Sequence, residues 1–325
     1  MPTHPTGRRT SEIYHGRPDG ILRGMAPFPW KQSVALGVLA AATWTTATPG
    51  SAAQRDLRNQ TIHIGVYDNK GLPPATLTPS HLTVREDGVA REVLTVAPAT
   101  TPMQVAVLVD TSQASQGSIP DLRDGLRAFA TAIWARSPES QLALYAFGER
   151  PSLEADYTTS AIAWSRGVDR LFAASGSGSY FIEAVVEASN ALAKRKPARG
   201  AVVAYVDENG PEFSNRRHAQ AFDAVASARA SLWTISRQGF SGDMSTETRE
   251  RAMVVGDVTM RSGGRNFTLF APSGIKARFT EVSEQLLAQF AVTYGRPESL
   301  IPPDKLEVRL TLDGYKLSAP RWTNK

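Results

Sequence analysis

The 325-residue chain contains no cysteine. That absence removes disulfides, thiolate nucleophiles, Cys-based zinc sites and iron–sulfur clusters. Histidine is scarce: of five in the chain, only His63, His81 and His218 lie beyond residue 53, and they are scattered without metal-ligand spacing. His63 falls between apolar strand positions and is read as facing solvent or a second layer. There is no Gly-x-Ser-x-Gly nucleophile elbow, no phosphate loop ending in Gly-Lys-Ser/Thr, and no dinucleotide fingerprint after a strand. The chain therefore reads as a non-enzyme, with a hydrolase using an unrecognised carboxylate pair as the catalytic alternative. An excess of one charge is also missing. The formal net charge of +5 is concentrated towards the N-terminus, and beyond residue 53 there are 31 basic against 29 acidic side chains. With no basic stripe interleaved with aromatics, nucleic acid is not expected as a partner. The run Lys194-Arg195-Lys196 sits at an expected helix end, where cations meet the negative end of the dipole.

Residues 1–29 are polar and rich in Pro, Gly and Arg, and Lys31 then precedes an uncharged stretch from Gln32 to Ala53. Its apolar part, Val34 to about Thr48, is short for a membrane span, and it ends in the small residues Pro49-Gly50-Ser51-Ala52-Ala53. A cation, a short apolar core and a small-x-small exit make a secretory signal, with cleavage expected near Ala53. The long approach to Lys31 points to Met25 as the true start. The mature chain is expected to be extracytoplasmic, periplasmic or secreted, and associated with a membrane only if the leader remains as an anchor.

Beyond the leader (1–53), residues 54–100 read as a small β domain. Ile62, Ile64 and Val66 alternate with smaller or polar residues; a strand at Leu82–Arg85 runs into Asp87-Gly88, a hairpin signal, and a third strand is expected at Glu92–Val96. Residues 101–290 change character. Val105–Val109 is a continuous apolar run, typical of a strand buried on both faces of a parallel sheet, and it ends at Asp110. Helices are expected at about 120–136, 160–172, 181–194, 218–230 and 275–289, alternating with strands at about 141–147, 201–206, 232–236 and 267–270. Such alternation means βαβ units, an α/β doubly wound, mostly parallel sheet. Residues 291–325 return to β. Ala291–Tyr294 and Leu306–Leu312 are strands, and Asp313-Gly314 is a second hairpin signal leading to Tyr315–Ala319. These C-terminal strands are expected to complete the N-terminal β domain as a small sandwich, with the α/β domain inserted.

Open parallel sheets bind ligands beyond the carboxyl ends of their strands. Asp110 and Ser112 follow the first buried strand, Ser179 sits in a Gly/Ser loop before a helix, and Asp207 follows a later buried strand. Carboxylates and hydroxyls gathered at one sheet edge suit a hard cation. The competing reading is that Asp110 and Asp207 cap helices and shape turns, with Ser112 and Ser179 bonding local amides.

The pattern resembles the von Willebrand factor type A (vWA) family, whose metal-ion-dependent adhesion site is an Asp-x-Ser-x-Ser after the first strand, a Thr in a later loop and an Asp after the fourth strand. Asp110-Thr111-Ser112-Gln113-Ala114 matches the first Asp and Ser and departs at Ala114, with Ser115 one position late. Gly178-Ser179-Tyr180-Phe181-Ile182-Glu183-Ala184 is similar to the family's Gly-Thr-x-Leu-x-Asp-Ala. Tyr205-Val206-Asp207-Glu208-Asn209-Gly210 is similar to its Thr-Asp-Gly, with the Gly displaced. The flanking segments resemble a bacterial vWA-related family abundant in Acidobacteria. The resemblance implies a Rossmann-like fold and Mg2+, or Ca2+ or Mn2+, at Asp110, Ser112, Ser179 and Asp207. An acidic side chain of a protein partner would complete the shell, with Glu208–Arg217 and Tyr180-Phe181 at the rim. Such a chain would be a binding or adhesion module; the alternative is a structural or assembly protein of the envelope with the same scaffold and no working metal site.

Overall fold

Alternation of apolar and polar residues builds the first strand, β1 (Leu57–Tyr67), whose Ile62, Ile64 and Val66 turn inward. The computed structural model describes residues 57–239, 245–297 and 303–321. The leader, the cleavage position near Ala53 and the start at Met25 lie outside them. After β1 come β2 (Leu82–Glu86), β3 (Val89–Arg91) and β4 (Val93–Pro98). Asp87 and Gly88 join β2 to β3 with φ of 50° and 80°, the left-handed pair that a tight hairpin requires. The return strand of the hairpin is thus the short β3. The segment expected as its third strand instead becomes β4, which leaves for a different sheet.

The α/β part alternates regularly. It runs β5 (Gln104–Val109), α1 (Ile119–Arg136), β6 (Gln141–Ala146), β7 (Ser152–Thr158), α2 (Ala161–Asp169), α3 (Phe181–Arg195), β8 (Gly200–Asp207), α4 (His218–Ser227) and β9 (Ala230–Arg237). A helical stretch follows, α5 (Thr246–Met253), a π turn (Val254–Val258) and α6 (Thr259–Arg261), then β10 (Asn266–Leu269) and α7 (Ile275–Leu287). The six-stranded sheet has the order β10-β9-β8-β5-β6-β7, parallel throughout except for β7, antiparallel on the β6 edge. Both faces are covered. Val105, Val107 and Val109 meet Leu122, Leu126 and Phe129 of α1 and Phe279 of α7; Ala106 and Leu108 meet Phe181 and Val185 of α3 and Val225 of α4. That double burial is why the run at 105–109 has no polar alternate.

The chain closes with β11 (Phe290–Pro297), β12 (Leu306–Leu310) and β13 (Lys316–Ser318). They pair with the N-terminal strands: the two remaining sheets are β13-β1-β11-β4 and β12-β2-β3. Ile64 and Val292 from one sheet share a core with Val84 and Val308 from the other. Asp313-Gly314 does not close a hairpin. Gly314 has φ of 79°, but β12 pairs with β2 while β13 crosses to β1, so the turn moves the chain between layers. Glu86 ties those layers together: it is 1% exposed and meets Arg91 Nε and Tyr294 Oη at 3.0 Å and Arg296 at 3.6 Å.

The β part and the α/β part meet at Arg199. Buried to 4% exposure, it donates to the carbonyl of Ala99 at 3.1 Å, to that of Leu286 and to Gln289 Oε1 at 3.0 Å. Burial draws its pKa down to about 10. Replacing it with methionine keeps much of the volume and leaves those acceptors without donors, so Arg199→Met is expected to lower the unfolding free energy by about 3 kcal/mol. Urea denaturation checks this; an unchanged midpoint would show that the junction is held by apolar packing alone.

Candidate functional site

The carboxyl ends of β5 and β8 are joined by Asp110. Its Oδ1 accepts the Ser112 N–H at 2.9 Å, its Oδ2 accepts the Asp207 N–H at 3.1 Å, and its own N–H donates to the Tyr205 carbonyl at 3.1 Å. It is fully buried. Burial pushes its pKa up to about 6 against the pull of the Ser112 and Asp207 donors, and the Asp207 charge adds to the rise.

After Asp110 the chain turns at Ser112 into a tight 3-10 segment (Gln113–Ser118), with the Ser115 N–H donating to the Ser112 carbonyl at 3.0 Å. This turn directs Ser115 inward. Ser112 and Ser115 are both fully buried, and neither hydroxyl has a hydrogen-bond partner; the Ser112 hydroxyl is near Asp110 but outside bonding geometry. Two glycines permit the close approach of the surrounding loops. A Cβ on Gly148 would stand 2.4 Å from the Thr111 carbonyl oxygen, and one on Gly210 would stand 2.9 Å from the Ala114 Cβ.

Ser179 lies against the loop after β8 in a short parallel bridge with Glu212. The Ser179 N–H donates to the Pro211 carbonyl at 2.9 Å, and the Phe213 N–H donates to the Ser179 carbonyl at 2.7 Å. The Ser179 hydroxyl is buried and unpartnered, close to Glu212 without meeting hydrogen-bond geometry. Glu212 falls in the Glu208–Arg217 segment expected at the rim, yet it is 2% exposed; its burial depends on a bridge between loops 33 positions apart, which no local motif encodes. Its Oε1 accepts the Ser214 N–H at 3.3 Å and its Oε2 has no partner. Burial raises its pKa to about 7, with Ser214 and Arg251 opposing and Asp110 reinforcing the rise.

Asp207 is differently engaged. Its Oδ1 accepts from the Asn209 backbone at 3.1 Å and side chain at 2.8 Å, and its Oδ2 faces Arg237 at 2.7 Å. Arg237 also reaches the Ala114 carbonyl at 3.3 Å. Among the described residues no three His, Cys, Asp or Glu side chains gather as metal ligands. A cation here would rest on Asp110, on the hydroxyls of Ser112 and Ser179, and on water, with Asp207 reached through water while Arg237 holds its carboxylate. The orphaned hydroxyls beside a buried carboxylate fit a hard, oxygen-seeking ion. At the rim, Tyr180 packs edge-on against Phe213 at 6.2 Å, and Phe213 is 49% exposed. Phe181, expected at the rim, is instead fully buried against Phe147 at 5.8 Å, because it opens α3 on the face turned to the sheet.

A glutamate with a raised pKa favours folding most below its unfolded value of 4.5, and that contribution is lost as pH rises through about 7. In chelator, the isosteric Glu212→Gln variant is expected to melt above the parent at pH 8, by up to about 3 kcal/mol, and to lose that advantage at pH 5. Scanning calorimetry at the two pH values checks it; a difference independent of pH would contradict the ionisation assigned to Glu212.

No family model matches the chain and no curated protein is similar to it. Solved structures similar to it include the vWF domain of the type V pili tip protein Mfa5 from Porphyromonas gingivalis (11% identity, 58% of this chain and 96% of that one, TM-score 0.45). Another is a von Willebrand factor type A protein from Catenulispora acidiphila (10% identity, 81% and 74%, TM-score 0.45). A third is a D319A mutant of the PilB minor pilin from Streptococcus sanguinis (9% identity, 59% and 63%, TM-score 0.42). These are distant likenesses of shape. The chain's own topology is the stronger ground. A doubly covered parallel sheet has an antiparallel edge strand, and Asp110, Ser179 and Asp207 gather at its carboxyl edge. The α/β part of the chain has a doubly wound, Rossmann-like fold similar to that of von Willebrand factor type A domains.

Proposed function

We propose that this chain is an exported, non-catalytic binding module. Its α/β part holds Mg2+, or Ca2+ or Mn2+, through Asp110, Ser112 and Ser179, with Asp207 acting through water. An acidic side chain of a protein partner then joins the shell. The observation that supports this most is the pair of fully buried, unpartnered hydroxyls at the sheet edge, Ser112 beside Asp110 and Ser179 beside Glu212. Each buried polar group left unsatisfied costs about 1–3 kcal/mol, and one bound cation with its waters would relieve them together. Export rests on the leader read from the sequence. Among the described residues no helix is long and apolar enough to cross a membrane.

A second reading, a structural or assembly protein of the envelope that uses the scaffold without a metal, has the Arg237–Asp207 contact in its favour. A guanidinium at 2.7 Å already neutralises one of the carboxylates at the sheet edge.

The two readings part on thermal stability. A ligand present at 100 times its dissociation constant stabilises the folded state by about 2.7 kcal/mol. Millimolar Mg2+ or Mn2+ is therefore expected to raise the melting temperature by several degrees, EDTA to reverse the rise, and Asp110→Ala with Ser112→Ala to remove it. EDTA should likewise abolish capture of the partner. A melting temperature indifferent to divalent ions would favour the metal-free scaffold.

A further inference from the structure

We propose that Glu212 is itself a ligand of the cation, so that the chain supplies from its own loop the kind of carboxylate that a partner would bring. This inference rests on the metal reading given under Proposed function. Glu212 comes from outside the Asp110, Ser112, Ser179 and Asp207 set.

The loop that carries Glu212 is fixed in place. The bridge to Ser179 holds the backbone on both sides of it, through the Pro211 carbonyl and the Phe213 N–H. Its side chain is 2% exposed, yet Oε2 has no partner. Arg251, also 2% exposed, eases the Glu212 charge from a distance but spends its N–H groups on the carbonyls of Gly210 at 2.8 Å and Glu208 at 3.2 Å. Glu86 shows how this same chain treats a buried carboxylate that is purely structural, surrounding it with Arg91, Arg296 and the Tyr294 hydroxyl. Glu212 has no such escort. The orphaned hydroxyl of Ser179 lies beside it, and the charge of another buried carboxylate, Asp110, reaches it across the site. Two buried carboxylates with unpartnered hydroxyls repel one another until a positive charge enters. A divalent ion between Asp110 and Glu212, with Ser112, Ser179 and water around it, completes an oxygen-only shell. Asp207 is more fully engaged than Asp110: two donors from Asn209 meet one oxygen, and Arg237 and the Tyr205 hydroxyl meet the other, which uses all of its lone-pair sites.

The consequence is a closed resting state. With Glu212 on the ion, a partner's acidic side chain has to displace it, and the segment from Glu208 to Arg217 is the element that must give way.

Mn2+ titration of the full chain tests this, following free Mn2+ by electron paramagnetic resonance and bound Mn2+ by its relaxation of water protons. The parent is expected to bind Mn2+. Glu212→Gln should bind at least tenfold more weakly, since loss of even an outer-shell partner costs about 10–100-fold. Each ion it does bind should relax water more strongly, because water takes the vacated position. Glu212→Asp, which keeps the charge but withdraws the oxygens by one methylene, should weaken binding too and serves if the glutamine variant does not fold. If both variants bind Mn2+ as the parent does with unchanged relaxation, Glu212 is not a ligand, although the metal reading stands. If the parent binds no Mn2+ while Asp110→Ala behaves identically, the metal reading fails and this inference with it.

Discussion

The site depends on one carboxylate making two bonds. Asp110 receives the Ser112 N–H on one oxygen and the Asp207 N–H on the other, and so clamps the ends of two neighbouring strands, β5 and β8. Bonds from amides to a charged acceptor are about twice as strong as neutral ones. The first sets the turn that points Ser112 and Ser115 inward; the second fixes where the loop after β8 begins. A carboxylate has about four lone-pair sites, so the clamp leaves Asp110 able to face a cation on its remaining side.

The surrounding charges divide into settled and unsettled ones. Asp207 is settled by Arg237, which also anchors the Ala114 carbonyl and so ties the loop after β5 to the end of β9. Glu86, in the β sandwich, is settled by two arginines and a tyrosine. Asp110 and Glu212 are unsettled, both buried and both with their ionisation pushed towards neutral pH. Marginal stability makes this expensive to keep without a use. The divalent ion proposed here would reverse the sign of the local electrostatics, turning mutual repulsion into shared attraction.

Much of the scaffold was legible because it follows from burial. A strand covered on both faces cannot alternate, and Val105–Val109 does not; the left-handed turn at Asp87-Gly88 announced itself in two residues. What escaped lacked a periodic signature. Strand β7, Ser152–Thr158, is an edge strand with no fully buried residue, so it carries no apolar pattern. The helix at Thr246–Met253 is almost wholly polar on its outer side, with Arg251 its buried residue. Asp313-Gly314 looked like a hairpin because turn chemistry is local, while the choice of sheet for each following strand is made by distant partners. Of the proposed site, Asp110, Ser112, Ser179 and Asp207 are read from their positions after buried strands and in one Gly/Ser loop. Glu212 is read only as part of a rim segment, and Arg237 not at all. Their roles arise from contacts across loops, and neither the pairing of Ser179 with Glu212 nor that of Asp207 with Arg237 has a spacing to read.

The central claim is that the oxygens gathered beyond β5 and β8 surround a divalent ion. The most direct measurement is anomalous diffraction from crystals grown with Mn2+. An anomalous peak about 2.1–2.2 Å from the Asp110 carboxylate and the Ser112 and Ser179 hydroxyls, as oxygen ligands hold small divalent ions, is the predicted result. Density for water alone there, with the three side chains bonded to one another at millimolar Mn2+, would contradict the account.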